Sequence, residues 1–244
     1  MSPVMSEKSL LSTKDIDPRD RLIFALDVSN VADAKVLVEM LGDSVQFYKL
    51  GLQLFMAGGY FELLEWLRAK NKHVFVDLKF FDVPRTVECA VEQLKDWDAQ
   101  FATVHGNENI LEAAVKHKKD VKILAVTVLT SLDDNDLRDL GFECSAEKLV
   151  LSRARRALKV GCDGVISSGL EVPKLREEFE SNFLIVVPGI RPVKNVDDQK
   201  RTVSIEEAFL KGADYVVIGR PIRDADDPKT VAEGFQKTIA SLFA

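Results

Sequence analysis

The sequence predicts a single (β/α)₈ TIM barrel, and three observations support this prediction. Eight apolar runs of strand length recur along the chain, each followed by an amphipathic segment of helix length. Near-continuous apolar strands are typical of a parallel sheet that is covered by helices. Eight such units close naturally into a barrel. No glycine-rich dinucleotide motif follows the first strand, where residues 27–30 read DVSN, which disfavours a doubly wound open sheet.

The eight units follow one another without a low-complexity linker. The predicted strands cover residues 21–28, 45–52, 73–80, 101–106, 121–129, 164–170, 183–190 and 215–222. The predicted helices cover residues 33–41, 60–70, 85–97, 108–117, 146–160, 172–178, 205–211 and 228–242, with a short helical turn in the polar loop after the fifth strand. We expect one catalytic domain over residues 19–244, preceded by a polar, flexible tail over residues 1–18.

Composition narrows the classes of function. The chain has 244 residues and 46% hydrophobic content, enough to bury a large core. Its formal net charge of -6 argues against a nucleic-acid or membrane-binding surface, so any anion site must be local. No apolar run approaches the roughly 18 residues of a membrane span. The three cysteines lack zinc-site spacing, which indicates free thiols in a reducing compartment. We expect a cytoplasmic protein without a metal site.

Residues 77–86 (DLKFFDVPRT) place two opposite charges where the strand pattern predicts a buried face. Alternation along the third strand puts Asp77 and Lys79 on the same face. A half-buried carboxylate beside an ammonium is costly to desolvate unless further partners complete the pairing, and Asp82 is the nearest candidate in sequence. An ion pair on a solvated edge strand is the alternative, and the apolar flanking residues argue against it.

Charged residues from other strands are expected at the same mouth. Asp27 ends the first predicted strand, and Lys49 lies late in the second. The carboxyl ends of barrel strands meet at one face, so these side chains should converge with Asp77, Lys79 and Asp82. Five charges at the mouth of an otherwise apolar barrel favour a ligand site over a purely stabilising role.

The last two strands end in glycine-arginine turns. Residues 188–192 read PGIRP, and residues 218–221 read IGRP. Phosphate sites in barrels commonly use these loops, where glycine lets backbone N–H groups approach the anion and arginine adds a bidentate fork. We therefore expect a phosphate monoester as ligand. The polar connection at residues 192–204 is longer than most such loops and suggests a lid, with a merely solvated loop as the alternative.

These stretches resemble the orotidine 5'-monophosphate decarboxylase family, and its bacterial branch in particular. Residues 77–86 match the family signature D-x-K-x-x-D-[IV]-x-x-T, whose shorter D-x-K-x-x-D core is shared with some sugar-phosphate enzymes. Further family features occur in order as ALDV, YKLGL, TVLTS, VVPGIRP, DDQKRT and VIGRPI, so the resemblance covers nearly all of residues 21–242. Phe80 and Phe81 depart from the leucine-histidine pair, or similar polar residue, of many relatives.

The resemblance implies roles at the ribose and pyrimidine. Asp27 and Lys49 would hold the ribose hydroxyls, with Lys49 also part of the charge chain. Asp77 would lie beside the substrate carboxylate, and Lys79 would deliver a proton to pyrimidine C6. Thr130 would contact the pyrimidine. Loss of carbon dioxide leaves a carbanion with no adjacent π system, so we expect electrostatic stabilisation by Lys79 and no cofactor.

The resemblance also implies a phosphate grip and a shared site. Pro188 belongs to the substrate-binding turn after the seventh strand. Four residues would hold the phosphate: Arg191, Gln199, Gly219 and Arg220. Gln199 is assigned from its DDQKR context. Asp82 and Thr86 would reach into the site of a partner subunit, so we expect a homodimer with sites at the interface.

Two other functions stay open at this point. One is a magnesium-dependent sugar-phosphate decarboxylase or aldolase on the same barrel, which the TVLTS, PGIRP and DDQKR stretches disfavour. The other is a non-catalytic nucleotide-binding protein, which the intact aspartate-lysine-aspartate set disfavours. His105 ends the fourth strand without a paired carboxylate, and we interpret it as a hydrogen-bonded wall residue.

Overall fold

Eight parallel strands form a closed barrel in the computed structural model, which describes residues 9–179, 181–191 and 202–244. The strands are β1 (Leu22–Ala25), β2 (Phe47–Gly51), β3 (His73–Phe80), β4 (Phe101–Val104), β5 (Lys122–Val126), β6 (Gly164–Ile166), β7 (Leu184–Pro188) and β8 (Tyr215–Ile218). Each strand pairs with the next along the chain, and β8 pairs with β1. The predicted (β/α)₈ fold is confirmed.

Helices cover the outside of the barrel. They are α1 (Val31–Leu41), α2 (Leu52–Met56), α3 (Tyr60–Ala69), α4 (Pro84–Gln93), α5 (Glu108–Lys116), α6 (Asp134–Asp139), α7 (Ala146–Lys159), α8 (Val172–Glu178), α9 (Ile205–Leu210), α10 (Arg220–Arg223) and α11 (Pro228–Leu242). The eight predicted helices are present, α8 and α11 with the predicted bounds and the other six with shifted ends, and α6 is the predicted short turn. The sequence pattern missed α2 and α10, because helices of five and four residues are too short to show an apolar period. Among the described residues, none of the helices is both long and apolar enough to cross a membrane.

Two apolar layers stabilise the barrel. Inside it, the Phe101 ring packs 5.0 Å from the Phe47 ring and 5.8 Å from the Phe75 ring, measured between centroids. The outward faces of the strands pack against the helices in a larger cluster of buried side chains. Because both faces of each strand are buried, a polar residue near a strand end stands out as an exception that needs partners.

A buried carboxylate holds together the end of the barrel opposite the carboxyl ends of the strands. Asp214 directly precedes β8 and is fully buried. It accepts hydrogen bonds from Arg176 at 2.7 Å, Lys14 at 2.9 Å and Ser12 at 2.6 Å, and from the backbone N–H of Ile185 at 2.8 Å. Two cations and two neutral donors thus supply the pairing that a buried carboxylate requires.

The described part of the N-terminal segment contacts this end of the barrel. In addition to the bonds from Ser12 and Lys14, the backbone N–H of Leu10 donates to the carbonyl of Leu210 at 2.9 Å. The guanidinium of Arg21 donates to the carbonyl of Lys14 at 3.1 Å. Residues 9–17 are therefore docked on the barrel. The domain boundary at residue 18 and the flexibility of the tail stay predictions.

We expect Asp214→Asn to lower the free energy of unfolding by about 3 kcal/mol, because the change leaves Arg176 and Lys14 without their counter-charge in a buried site. Urea unfolding followed by circular dichroism measures this. The control is Glu177→Gln, which breaks an exposed ion pair with Lys174 at 2.7 Å and should cost less than about 0.5 kcal/mol. Equal losses in the two variants would contradict a special role for the buried carboxylate.

Candidate active site

A cavity of about 390 Å³ opens at the carboxyl ends of the strands. Nine of the residues that the sequence singles out line it: Asp27, Lys49, Asp77, Lys79, Thr130, Pro188, Arg191, Gly219 and Arg220. Its apolar wall includes Phe75, Val126 and Ile166. The volume and the mixture of apolar wall and convergent polar groups suit a small-molecule ligand.

Four charged side chains alternate in sign across the cavity. The Lys49 ammonium lies 3.3 Å from an oxygen of Asp27 and 3.3 Å from Oδ2 of Asp77. The Lys79 ammonium donates to the other oxygen of Asp77, Oδ1, at 2.9 Å. The side chains of Lys49 and Asp77 are only 12% and 11% exposed, whereas that of Lys79 is 35% exposed. Lys79 is therefore the member of the Asp77 pair that is more open to a ligand.

Burial and charge act in opposite directions on the two most buried members of this set. Burial alone would raise the pKa of Asp77, but the charges of Lys49 and Lys79 and the hydrogen bonds from Lys79 and Thr103 hold it below its usual range. Burial alone would lower the pKa of Lys49, but the charges of Asp77 and Asp27 outweigh it and raise the pKa. Both groups are therefore ionised at neutral pH, and each keeps the other charged.

Lys79 lies on the face that alternation along β3 predicts, but its backbone is irregular, which the sequence pattern does not predict. Val76 pairs with Ala102 and Phe80 with Val104, so β3 holds extra residues opposite β4. Within this bulge Lys79 has φ +48°, in the left-handed region that residues with a Cβ atom rarely adopt. In this conformation the Lys79 ammonium lies 2.9 Å from Oδ1 of Asp77.

The glycine-arginine turns after β7 and β8 line the same cavity. Gly189 has φ +78°, a conformation that favours glycine, and Arg191 follows it with 8% exposure. Gly219 lies close to β1, since a Cβ atom at this position would be 3.3 Å from the Cβ of Ala25. Arg220 follows as the first residue of α10. Gln199 and most of the expected lid lie outside the described residues.

Asp82 and Thr86 do not line the cavity of their own chain. Both are exposed, and a carboxylate oxygen of Asp82 accepts the backbone N–H of Val83 at 2.6 Å. Phe81 and Val83, on either side of Asp82, are 67% and 63% exposed. Within one chain, Lys49 and the Thr103 hydroxyl therefore complete the pairing of Asp77. The Asp82 side chain lies outside this cavity.

The sequence reasoning missed residues that complete the cavity. Thr103, on β4, donates to Asp77 at 2.9 Å, and its alternation with the inward-facing Phe101 was a usable signal. Arg223, at the end of α10, lines the cavity and donates to the backbone carbonyl of Asp27 at 2.8 Å. No pattern in the sequence pointed to that bond, because it joins the two ends of the chain.

His105 belongs to a neighbouring pocket. Its ring lies 5.2 Å from the Phe81 ring, and both residues line a second cavity beside α7. Burial, with smaller contributions from Arg153 and Lys79, lowers the pKa of His105, so the imidazole is neutral at pH 7. Its Nδ1 atom is buried without a hydrogen-bond partner among the described residues. The expected wall position therefore fits, while the expected side-chain hydrogen bond at Nδ1 is absent there.

The chain is similar to proteins of known family. The family model described as "Orotidine 5'-phosphate decarboxylase / HUMPS family" matches residues 20–235. The chain belongs to this family. The family resemblance drawn from the motifs is confirmed.

Individual relatives of this decarboxylase family match over almost the full chain. An orotidine 5'-phosphate decarboxylase of Methylococcus capsulatus is 61% identical over 238 residues, covering 97% of this chain and 98% of the relative. One from Nitrobacter winogradskyi is 49% identical over 228 residues, covering 92% and 95%. The crystal structure of orotidine 5'-phosphate decarboxylase from Lactobacillus acidophilus superposes with a TM-score of 0.81 at 34% identity, covering 90% of this chain and 99% of that one.

The buried pairing leads to a titration prediction. Asp77→Asn should lower the pKa of the Lys49 ammonium. Burial disfavours the charged form of Lys49, and the variant lacks the Asp77 carboxylate that offsets this effect. Nitrogen-detected NMR of the lysine side chains across pH measures this. Asp27→Asn is the control and should lower the pKa less, since the Asp27 side chain is 41% exposed. An unchanged Lys49 titration in Asp77→Asn would contradict the coupling.

Proposed function

We propose that the chain is an orotidine 5'-monophosphate decarboxylase, a carboxy-lyase that converts orotidine 5'-monophosphate to UMP and carbon dioxide in pyrimidine biosynthesis. The observation that carries this proposal is the Asp77–Lys79 ion pair of 2.9 Å on the wall of a cavity that also contains two glycine-arginine turns. Membership of the family and the 61% identical decarboxylase support the same reaction.

The charge of the cavity suits a substrate with two anionic groups. Five cationic side chains line it against two carboxylates; the cations are Lys49, Lys79, Arg191, Arg220 and Arg223. The chain as a whole has a formal net charge of -6, so positive charge is concentrated at this mouth. The substrate carries a phosphate at one end and a carboxylate on the pyrimidine. Local positive charge attracts both groups without making the rest of the surface bind polyanions.

Lys79 is the proposed proton donor. Its ammonium is held by Asp77 and is partly exposed to the cavity, where it can reach a ligand. As carbon dioxide leaves, negative charge develops at C6, and a fixed ammonium stabilises that charge and then supplies the proton of the product. The electron pair of the broken C–C bond ends in the new C–H bond, so the reaction needs no electron acceptor.

The remaining cavity residues are assigned to substrate binding. Asp27 and Lys49 face each other at 3.3 Å, which suits the two ribose hydroxyls as donors and acceptors. Thr130 lies on the wall at the proposed pyrimidine end. Pro188 and three proposed phosphate ligands, Arg191, Gly219 and Arg220, line the other end of the cavity. Gln199, which lies outside the described residues, is the fourth proposed phosphate ligand. Binding energy from the phosphate can be realised in the transition state at C6.

The proposed enzyme is a homodimer with shared sites. Asp82 and Thr86 lie outside the cavity of their own chain, in a segment that exposes Phe81 and Val83. Apolar side chains exposed beside an otherwise functional motif are typical of an interface. In the dimer, Asp82 and Thr86 would enter the cavity of the partner subunit, where Asp82 would complete the charge set around Lys79.

A cytoplasmic location is part of the same proposal. Cys89, Cys144 and Cys162 are free thiols, as expected in a reducing compartment. Burial raises the pKa of Cys162 to about 12, so this thiol is unreactive at neutral pH.

The direct test is to incubate orotidine 5'-monophosphate with the protein and follow its ultraviolet absorbance, with and without EDTA. We expect conversion to UMP at the same rate in both samples, since the proposed stabilisation comes from Lys79 and no metal takes part. Loss of turnover in EDTA alone would contradict metal-independent catalysis. No conversion in either sample would leave the magnesium-dependent sugar-phosphate enzyme and the nucleotide-binding protein as the alternatives.

In the same assay, Lys79→Ala should reduce kcat by about 10²- to 10⁴-fold or more, the range expected for a lost general acid. UMP binding, measured by calorimetry, should persist because the phosphate ligands are unchanged. Retained turnover would remove Lys79 from its proposed role.

Mixed dimers test the shared site. Lys79→Ala and Asp82→Ala should each be inactive. Their equimolar mixture should regain about a quarter of wild-type activity, because about half of the dimers are heterodimers after subunit exchange and each heterodimer has one native site out of two. The control mixes Lys79→Ala with Asp77→Ala. These two residues act within one subunit, so no native site can form and no activity should return. Recovery in both mixtures, or in neither, would argue against the shared site.

A further inference from the structure

The hydroxyl of Thr103 occupies the gap in the ladder between β3 and β4. Regular pairing stops after Val76 and Ala102 and resumes at Phe80 and Val104. Thr103 is the residue of β4 that faces this gap, and it is only 1% exposed. A buried threonine hydroxyl needs partners, and both of its partners belong to the bulge of β3.

The Thr103 hydroxyl accepts one hydrogen bond and donates the other. The backbone N–H of Lys79 donates to the Thr103 oxygen at 2.9 Å, which replaces a bond that the interrupted ladder cannot supply. The hydroxyl has a single proton, and it donates that proton to Oδ1 of Asp77 at 2.9 Å. One side chain therefore fixes both the backbone of Lys79 and the carboxylate of Asp77.

This double contact matters because the bulge is costly. Lys79 has φ +48°, in the left-handed region where a Cβ atom comes too close to the following carbonyl oxygen. The same Oδ1 of Asp77 that accepts the hydroxyl proton also accepts the Lys79 ammonium at 2.9 Å. Thr103, Asp77 and Lys79 thus close a ring of contacts that runs from the backbone of Lys79 to the tip of its own side chain.

We propose that Thr103 is a positioning residue of the reaction, which holds the Lys79 ammonium in the orientation that proton delivery requires. This inference rests on the proposed function for its catalytic consequence and on the ring of contacts for its structural one. A hydrogen bond to the ionised carboxylate also favours that form, so Thr103 keeps Asp77 charged beside Lys79.

Substitution of Thr103 by residues of matched shape separates the hydroxyl from its packing. Thr103→Val keeps the volume and removes both hydrogen bonds, and kcat should fall about 10- to 100-fold, the value of lost bonds to a charged group. Thr103→Ser keeps the hydroxyl and removes a methyl group, and kcat should stay within about threefold while stability falls. If Thr103→Val does not fold, Thr103→Ala is compared with Thr103→Ser in its place.

The matched control is Thr127→Val. Thr127 is also fully buried and comes directly after β5, and its hydroxyl donates to the backbone carbonyl of Ile166 at 2.7 Å. Loss of this bond should lower stability by a similar amount to the loss at Thr103. It should leave kcat and the acid side of the pH profile unchanged, because Thr127 contacts neither Asp77 nor Lys79.

A readout without substrate separates this proposal from the proposed activity. Carbon-detected NMR of the aspartate carboxyl groups, assigned with Asp77→Asn, should show a higher pKa for Asp77 in Thr103→Val, since the ionised form has lost a donor. The acid limb of log(kcat/KM) should move to higher pH in parallel. Wild-type protein that fails to turn over orotidine 5'-monophosphate would sink the decarboxylase proposal and leave this titration standing.

Two results would overturn the inference. Thr103→Val with kcat within about threefold of wild type and an unchanged Asp77 titration would show that the hydroxyl does not act on the pair. A kcat as low in Thr103→Ser, which keeps the hydroxyl, as in Thr103→Val would show that kcat depends on the fit of the whole side chain and that the hydroxyl alone does not position Lys79.

Discussion

Burial of the Asp77 carboxylate is the constraint on which the rest of the site depends. A buried carboxylate is tolerated only when its charge and lone pairs are matched, and here Lys49, Lys79 and Thr103 supply the partners. Those partners come from β2, from the bulge of β3 and from β4, so three adjacent strands must be in register before the carboxylate is satisfied. The geometry of the ammonium at the mouth is therefore a property of the barrel, and it needs no ligand to organise it.

The fold could be predicted from the sequence because its cause is local. Each strand is buried on both faces, which produces an apolar run that differs from the amphipathic helix after it. The mouth was predictable for a related reason, since a charge at the end of an apolar strand has few structural explanations. Asp27, Lys49 and Asp77 follow from this rule and from the direction that parallel strands share. The roles proposed for these residues come from the resemblance to the family.

The parts that the sequence did not reveal depend on contacts between distant segments. The bulge at Lys79 is an interruption of pairing between β3 and β4, and no residue type in β3 predicts it. In the sequence, Thr103 is an ordinary strand threonine, and only the structure shows that it contacts Asp77. Asp82 belongs to the same motif as Asp77, yet its side chain does not line the cavity of its own chain. Periodicity describes which face a residue occupies, and it carries no information about where the neighbouring strand or a second subunit stands.

The bond from Arg223 to the backbone of Asp27 ties together residues that lie 196 positions apart. It crosses the seam where β8 meets β1, the last pairing that can form as the chain emerges from the ribosome. The proposed ribose and phosphate contacts stand on opposite sides of that seam. A nascent chain whose final strand is still inside the exit tunnel cannot offer a nucleotide both halves of the pocket. Synthesis of the last segment is thus also the moment at which the protein becomes competent to hold its ligand.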